Sequence, residues 1–258
     1  MGCERCHGIG FHYETVDGRE WAKACSCRSR GAAETRGSVS ACRIPPRHRG
    51  FTLGNFEPRS EAQQAAYRRA LAYCEGFPQR VASEGLGLLF WGPADSGKTH
   101  LATGILSELV ASRNLSGQFW EFAALVQEMG RAYDKRSGIT VFDTLQGALD
   151  VDLLLLDDLG SRRIPDWAHN TLFEIVDARY RARRPTLVTT AFEDADLASA
   201  AGAEQMRRDE YLIDRIGARV RSRLLEMCLF VPMQERRRSA PPFQPTRPST
   251  LAAMRRRG

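Results

Sequence analysis

A glycine-rich octapeptide that begins at Gly92 carries the clearest chemistry in this 258-residue chain. It has the G-x-x-x-x-G-K-[ST] spacing of a P-loop, and it lies between an apolar run and a helical pattern. Glycines let the backbone wrap around phosphate oxygens, and the start of the following helix directs N–H groups at the same anion. Lys98 is expected to reach the terminal phosphates, and the Thr99 hydroxyl to bind Mg²⁺. The candidate nucleotide-binding residues are Gly92, Pro93, Ala94, Asp95, Ser96, Gly97, Lys98, Thr99 and His100.

Two adjacent carboxylates follow the largely apolar segment 151–156 and complete this chemistry. Asp157, at the end of a buried strand, would lie beside the metal ion bound by Thr99, and Asp158 would polarise the attacking water. An apolar strand that ends in Asp is common by itself. Because the P-loop precedes this strand in the chain, the two motifs together predict an ATPase that uses ATP and Mg²⁺.

Four of the seven cysteines, Cys3, Cys6, Cys25 and Cys27, lie in the first 27 residues. The chain has no recognisable secretion signal, so metal ligation is favoured over disulfides. Two close pairs of thiolates could complete a tetrahedral Zn²⁺ site, which would supply the folding energy that so short a segment lacks. His7 or His12 could replace one thiolate. The alternative is a set of reduced cysteines without metal.

Composition and charge divide the chain into four parts. The hydrophobic share of 43% and the charged share of 26% are typical of globular proteins and exclude fibrous repeats. The longest apolar stretches are too short to span a bilayer, so we expect a cytoplasmic protein without a membrane partner. Seven arginines and no acidic residue follow position 235. The predicted parts are a zinc-binding module at 1–28, a linker at 29–50, an ATPase domain at 51–235 and a basic, disordered tail at 236–258.

The elements that hold these residues alternate between buried strands and helices. Strands without polar alternation, separated by helices, are typical of a parallel sheet covered on both faces. We therefore predict an α/β fold with a mainly parallel five-stranded sheet. The predicted strands are 87–91, 118–122, 151–157, 186–190 and 228–232, and the predicted helices are 98–112, 123–134, 166–181 and 209–227.

Several segments, taken with the P-loop, resemble AAA+ proteins, and among them the replicative helicase loaders of the DnaC/DnaI type in the IstB-like ATP-binding family. They occur in the family's order, and the resemblance covers almost all of residues 43–238. The segments are Ile44-Pro-Pro-Arg, Phe51-Thr-Leu-Gly-Asn-Phe56, Leu155-Leu-Asp-Asp-Leu-Gly160, Phe173–Tyr180 with Pro185–Thr190, and Ile213–Cys228. The resemblance implies an AAA+ core, ATP hydrolysis to ADP and phosphate, and self-assembly through the ATP site.

Three arginines, Arg215, Arg219 and Arg223, recur at intervals of four residues in the last predicted helix, beside an apolar stripe. A guanidinium presented to a neighbouring subunit's nucleotide would stabilise charge that develops on the γ-phosphate. The resemblance to the family's arginine-finger segment selects Arg223, and Arg215 and Arg219 are its rivals.

The chain departs from the family pattern at two places. Ala191 stands where the family usually has the sensor-1 Asn, so the resemblance implies that the Thr190 hydroxyl orients the water, or else that hydrolysis is slow. Near the family's sensor-2 position the chain has a run of arginines, from which we select Arg238 as a nucleotide-binding candidate.

The resemblance implies an ATP-dependent loader that places a hexameric replicative helicase on single-stranded DNA during bacterial or phage DNA replication. Its zinc module would contact the helicase. The basic and aromatic residues of 127–140 would lie near single-stranded DNA; they are Arg131, Tyr133, Lys135 and Arg136. Two alternatives stay open: an IstB-type transposition helper ATPase, against which the cysteine module argues, and a non-hydrolysing zinc adaptor stabilised by nucleotide.

Overall fold

The computed structural model describes residues 36–77, 84–133, 145, 148–194 and 211–234, and the backbone alone at 11–16, 19–24 and 132–133. Near the amino terminus, β1 (Phe11–Val16) and β2 (Arg19–Ala24) pair as an antiparallel hairpin. This hairpin lies between the two pairs of cysteines in the sequence. The cysteines themselves are outside the described residues.

A five-stranded parallel sheet forms the centre of the region that the sequence predicts to be an ATPase domain. Its strands are β3 (Gly87–Trp91), β4 (Gly117–Glu121), β5 (Leu153–Asp157), β6 (Thr186–Thr190) and β7 (Cys228–Pro232). They are ordered β4-β5-β6-β3-β7, and each neighbouring pair is parallel. Every residue of β3 and β5 is buried, which explains why these strands lack polar alternation. The predicted α/β fold with five parallel strands is confirmed.

The described residues include the α-helices α1 (Glu61–Gly76), α2 (Lys98–Arg113), α3 (Phe122–Tyr133), α4 (Asp166–Arg181), α5 (Leu212–Ile216) and α6 (Ala218–Met227). None of the helices in this part of the chain is long and apolar enough to cross a membrane. Helix α1 was not among the predicted helices, because it is largely polar and buries few side chains. Ser60 caps α1 by accepting a hydrogen bond from the backbone N–H of Gln63 at 3.2 Å.

The single helix predicted over 209–227 is wrong, because the chain breaks at Gly217. This glycine has φ 82 and ψ 156, which lies outside the helical region and is a conformation that glycine adopts at little cost. The break separates the short α5 from α6. Hydrophobic periodicity continues across it, since Ile216 and Val220 both pack into the core.

Alternate residues of the central strands face two different apolar cores. Leu88, Phe90 and Leu155 pack with α1, α2 and the segment before Phe56, whereas Leu89 and Leu156 pack with α3, α4, α5 and α6. Cys42 and Ile44 are buried in the first core. The packed unit therefore includes residues upstream of Phe51 that the sequence analysis assigns to the linker at 29–50.

Candidate nucleotide site

The candidate residues from distant parts of the chain meet at the carboxyl edge of the sheet. The P-loop follows β3, Asp157 ends β5 and Thr190 ends β6. Glu121 ends β4 directly opposite Asp157 in the strand register. Crevices at this edge are where open parallel sheets bind ligands.

The P-loop backbone takes its shape from residues with positive φ. Asp95 has φ 58 and Gly97 has φ 88, and Gly97 is the N-cap of α2. A Cβ atom on Gly97 would lie 2.7 Å from Cε2 of Phe56, so this position needs glycine for space as well as for φ. The loop and the start of α2 thus form a tight arch beneath the Phe56 ring, as phosphate binding by backbone N–H groups requires.

The Lys98 ammonium is buried and holds the loop in its present shape. Its Nζ donates to the carbonyl oxygens of Gly92 at 2.9 Å and Pro93 at 2.6 Å. Burial lowers the pKa of Lys98, and the nearby carboxylates of Asp158 and Asp157 oppose that shift. The Lys98 side chain therefore lies at the mouth of the loop, on neutral acceptors that phosphate oxygens could replace.

Asp157 is joined to the P-loop and to β6 by two hydroxyls. Its Oδ1 accepts from Thr99 Oγ1 at 2.8 Å and from Thr189 Oγ1 at 2.7 Å. Burial raises the pKa of the Asp157 carboxyl, and the hydrogen bonds from Thr189 and Thr99 oppose that rise. A hydroxyl and a carboxylate in contact are the oxygen donors that Mg²⁺ prefers, so Thr99 and Asp157 fit a magnesium site.

Asp158 is exposed at the same edge, and its backbone adopts φ 59. Its N–H donates to Thr189 Oγ1 at 2.8 Å. A left-handed conformation turns this residue out of the strand direction of β5, so its carboxylate is not buried in the way that the Asp157 carboxylate is. An exposed carboxylate next to a metal site can accept a proton from water.

A protein-family model described as "IstB-like ATP binding protein" matches residues 46–221, which is more than half of the chain. The chain belongs to the IstB-like ATP-binding family. A P-loop lysine, a hydroxyl and a carboxylate arranged around one crevice are the groups that an ATP-binding protein needs, so the family and the geometry agree.

Among its relatives, the chain is 28% identical to the replicative helicase loader DnaC of Escherichia coli (strain K12) over 165 residues, which are 64% of this chain and 65% of DnaC. It is 27% identical to the uncharacterised protein YqaM of Bacillus subtilis (strain 168) over 211 residues, 76% of this chain and 64% of YqaM. These matches span slightly less than two thirds of the relatives' own lengths.

Two solved structures are similar to the fold. The crystal structure of the DnaC helicase loader has a TM-score of 0.60 and 25% identity, and the match covers 74% of this chain and 100% of that chain. The crystal structure of DnaI has a TM-score of 0.59 at 21% identity and covers 74% of this chain and 94% of that chain; at this identity the likeness concerns the fold alone.

In this IstB-like chain His100 contacts the segment before α1. Its Nε2 lies 3.0 Å from the Thr52 carbonyl oxygen and 2.9 Å from Asn55 Oδ1. Its ring stacks on Phe51 at a centroid distance of 4.5 Å. His100 thus connects the first turn of α2 to residues 51–56, a contact that the P-loop motif alone does not indicate.

Thr189 and Thr190 have different surroundings from those the sequence suggested. The Thr190 hydroxyl donates to the Leu159 carbonyl at 2.7 Å and accepts from the Phe192 N–H at 3.1 Å, and Thr190 is fully buried. The structure therefore brings Thr189, and not Thr190, to the aspartates. Adjacent strand residues point to opposite faces, and a Thr-Thr pair at a strand end does not reveal which of them faces the site.

The three arginines of α5 and α6 contact different parts of the chain. Arg215 Nε donates to the Gly160 carbonyl at 2.7 Å, just after the aspartates. Arg219 lies over the ring of Phe173, 3.9 Å from its centroid. Arg223 Nε donates to Asp177 Oδ1 at 2.8 Å. Each guanidinium has a partner within the chain, so the contacts of the chain alone do not single out one of the three as an arginine finger.

The remaining site candidates lie outside the described residues. They are Cys3, Cys6, Cys25, Cys27, His7 and Arg238, and also Lys135 and Arg136 of the predicted DNA-binding segment. His12 is described by its backbone alone. Within the described ranges, His, Cys, Asp and Glu residues do not gather in groups of three that could hold a metal ion.

Proposed function

We propose that this chain is an ATPase that binds Mg²⁺·ATP at the P-loop and hydrolyses it to ADP and phosphate. The observation that supports this most is the contact between the hydroxyl of Thr99 and the carboxylate of Asp157, beside the buried ammonium of Lys98. Thr99 and Asp157 would hold Mg²⁺, which supplies neutralisation of phosphate charge. This arrangement joins the P-loop to the strand end that follows it by 58 residues.

The chain's own residues divide the chemistry between them. Lys98 Nζ would exchange the carbonyls of Gly92 and Pro93 for oxygens of the terminal phosphates. The α2 amino terminus would direct its N–H groups at the same phosphates. Asp158 would orient the attacking water and accept its proton. An arginine from a neighbouring subunit, with Arg223 as the first candidate, would stabilise charge on the γ-phosphate.

We propose that the protein uses this ATPase to load a hexameric replicative helicase onto single-stranded DNA during DNA replication in the cytoplasm. Similarity to the replicative helicase loader DnaC supports this proposal, and so does the basic carboxyl-terminal segment, which would bind phosphates electrostatically. The ATP site would lie between adjacent copies of the chain, with α5 and α6 of one copy facing the P-loop of the next.

The zinc module is part of the same proposal. Cys3, Cys6, Cys25 and Cys27 would bind one structural Zn²⁺ and present residues 1–28 to the helicase. Elemental analysis of the purified full chain should give about one zinc per chain. Replacement of all four cysteines by serine should remove the metal and helicase capture together while ATP binding stays. A metal-free wild-type chain would contradict this part.

Two measurements test the function. Capture from the native host should recover the replicative helicase, and ATP turnover should rise when single-stranded DNA is added. Recovery of a transposase instead would favour a transposition helper, which the IstB-like family description keeps open. Helicase capture without stimulated turnover would favour a zinc adaptor that binds nucleotide without hydrolysing it, because Ala191 brings no amide to the water.

A further inference from the structure

The Thr189 hydroxyl lies between the two aspartates and bonds to both residues. It donates to Asp157 Oδ1 at 2.7 Å and accepts from the Asp158 N–H at 2.8 Å. We infer that Thr189 is the positioning residue that fixes the two aspartates relative to each other, an assignment that rests on the ATPase function proposed above.

Burial makes this contact specific. Thr189 is 1% exposed and Asp157 is 4% exposed, so the hydrogen bond between their side chains is shielded from bulk water. A hydrogen bond in such surroundings costs much to lose, because the abandoned partner cannot turn to solvent. Thr99, the other hydroxyl on Asp157 Oδ1, belongs to the P-loop, whereas Thr189 belongs to β6 and holds Asp157 independently of that loop.

The Asp158 contact explains how an exposed aspartate keeps a defined direction. Asp158 has φ 59, an uncommon conformation for a residue other than glycine, and its N–H is held by Thr189. The next residue, Leu159, donates its N–H to the Thr189 carbonyl at 2.8 Å. Hydrogen bonds therefore join Thr189 to three consecutive residues, and they set the turn that aims the Asp158 carboxylate.

The chemistry of the side chain restricts what can replace it. A hydroxyl donates and accepts at the same time, as both aspartates require here. Valine has the same shape without either function, and serine keeps both. Thr190 offers a matched control, because its hydroxyl also donates one hydrogen bond and accepts one. It donates to the Leu159 carbonyl and accepts from the Phe192 N–H, so neither bond is to an aspartate.

The test compares Thr189→Val, Thr189→Ser and Thr190→Val with wild type. Amide hydrogen exchange at Asp158, measured by NMR without nucleotide, should be about tenfold faster in Thr189→Val and near wild type in the other two. The kcat for ATP should fall about tenfold in Thr189→Val at unchanged ATP affinity, and Thr189→Ser should restore it. Melting temperatures identify any variant that fails to fold.

Two results would overturn the inference. One is wild-type Asp158 exchange and kcat in Thr189→Val. The other is an equal loss in Thr190→Val, which would indicate a general effect of removing a buried hydroxyl at the end of β6. A wild-type chain without any ATP turnover would refute the proposed ATPase instead, and the hydrogen-exchange comparison would still decide the role of Thr189.

Discussion

The P-loop and the arginine-bearing helices both hold cations on internal contacts, but the contacts differ in kind. Lys98 rests on neutral carbonyl oxygens of its own loop, five and six residues away. Arg223 rests on the carboxylate of Asp177, 46 residues away on α4. Phosphate oxygens replace carbonyls with a gain in charge complementarity, whereas they must compete with a carboxylate. Lys98 can therefore bind phosphate without losing an ion pair. Arg223 must first leave the carboxylate of Asp177 before it can bind a phosphate.

The ion pair between Arg223 and Asp177 is weak enough to open. The Arg223 side chain is 33% exposed, so water screens its ion pair with Asp177 and can solvate the guanidinium when the pair opens. Asp177 also accepts from Arg181 Nε at 2.9 Å. If Arg223 turned towards a neighbouring subunit, Arg181 would still neutralise Asp177, and Glu226, the other carboxylate that Arg223 contacts, is exposed to water.

The largest expected effect is that of Lys98→Ala, because a chain that cannot bind ATP also loses all hydrolysis. The variant should lose ATP affinity by about 100-fold or more, because the phosphates lose their buried cation. Its melting temperature should stay within a few degrees of wild type, since the lost hydrogen bonds are to neutral carbonyl oxygens and one of them belongs to the exposed Pro93. Nucleotide titration and thermal unfolding measure the two quantities. Arg131→Ala, which removes an exposed ion pair with Glu128, is the control and should change neither. Normal ATP affinity in Lys98→Ala would refute the site.

Arg223→Ala tests the other half of the comparison. Hydrolysis should fall about 10³-fold, whereas ATP affinity should be retained, because the arginine is expected to act on the next subunit's nucleotide. Mixing Arg223→Ala chains with Lys98→Ala chains should restore activity, since some interfaces then combine an intact P-loop with an intact arginine. Absence of rescue would place the arginine's action within its own chain. The same mixture with Arg215→Ala or Arg219→Ala identifies the residue if Arg223 is the wrong one.

How far the sequence alone predicts this molecule depends on whether the signal is local. The strands at 87–91, 186–190 and 228–232 and the helix at 166–181 agree with the structure to the residue. Their burial produces apolar runs or helical periodicity, and Gly or Pro flanks several of them. The P-loop and the paired aspartates are likewise continuous motifs, and parallel strands necessarily bring their carboxyl ends to one edge.

Contacts between distant segments were beyond the sequence signals. Arg179 lies within an ordinary amphipathic helix, yet it is fully buried, where it donates to backbone carbonyls such as those of Val151 and Pro185. Nothing in its neighbours distinguishes it from an exposed arginine. The sequence also did not indicate that Thr189, rather than Thr190, contacts the aspartates, because a strand's period of two puts adjacent residues on opposite faces without revealing which face meets the site.

A moderate effect is expected when the buried charge at the end of β5 is removed. The folded chain raises the pKa of Asp157 above its ordinary value of 3.8, so the stability associated with this group is present at low pH and lost as pH rises through the folded pKa. The Asp157→Asn side chain does not ionise, so this variant does not lose stability in that way as pH rises. Without nucleotide and with a chelator present, it should melt about 2–5 °C above wild type at neutral pH, and the difference should vanish near pH 4. Asp158→Asn, at an exposed position, is the control. A melting temperature lower than wild type at neutral pH would contradict the expectation.

The smallest expected effect is that of Asp177→Asn, which removes the ion pair with Arg223 and leaves the residues of the nucleotide pocket unchanged. Turnover should reach half its maximum at a chain concentration about two- to threefold lower than in wild type. The reason is that Arg223 no longer has to break its ion pair with Asp177 when subunits meet. The maximal rate should not change, since the same arginine acts once the interface has formed. Arg181→Gln separates this effect from a general change in surface charge. In this variant Asp177 keeps only Arg223 of its two arginine partners, so their ion pair should be stronger and half-maximal turnover should need a higher chain concentration. If both variants shift the concentration in the same direction, the ion pair with Asp177 does not restrain Arg223. The Lys98 and Arg223 regions would then differ only in that the Lys98 contacts are local in the sequence.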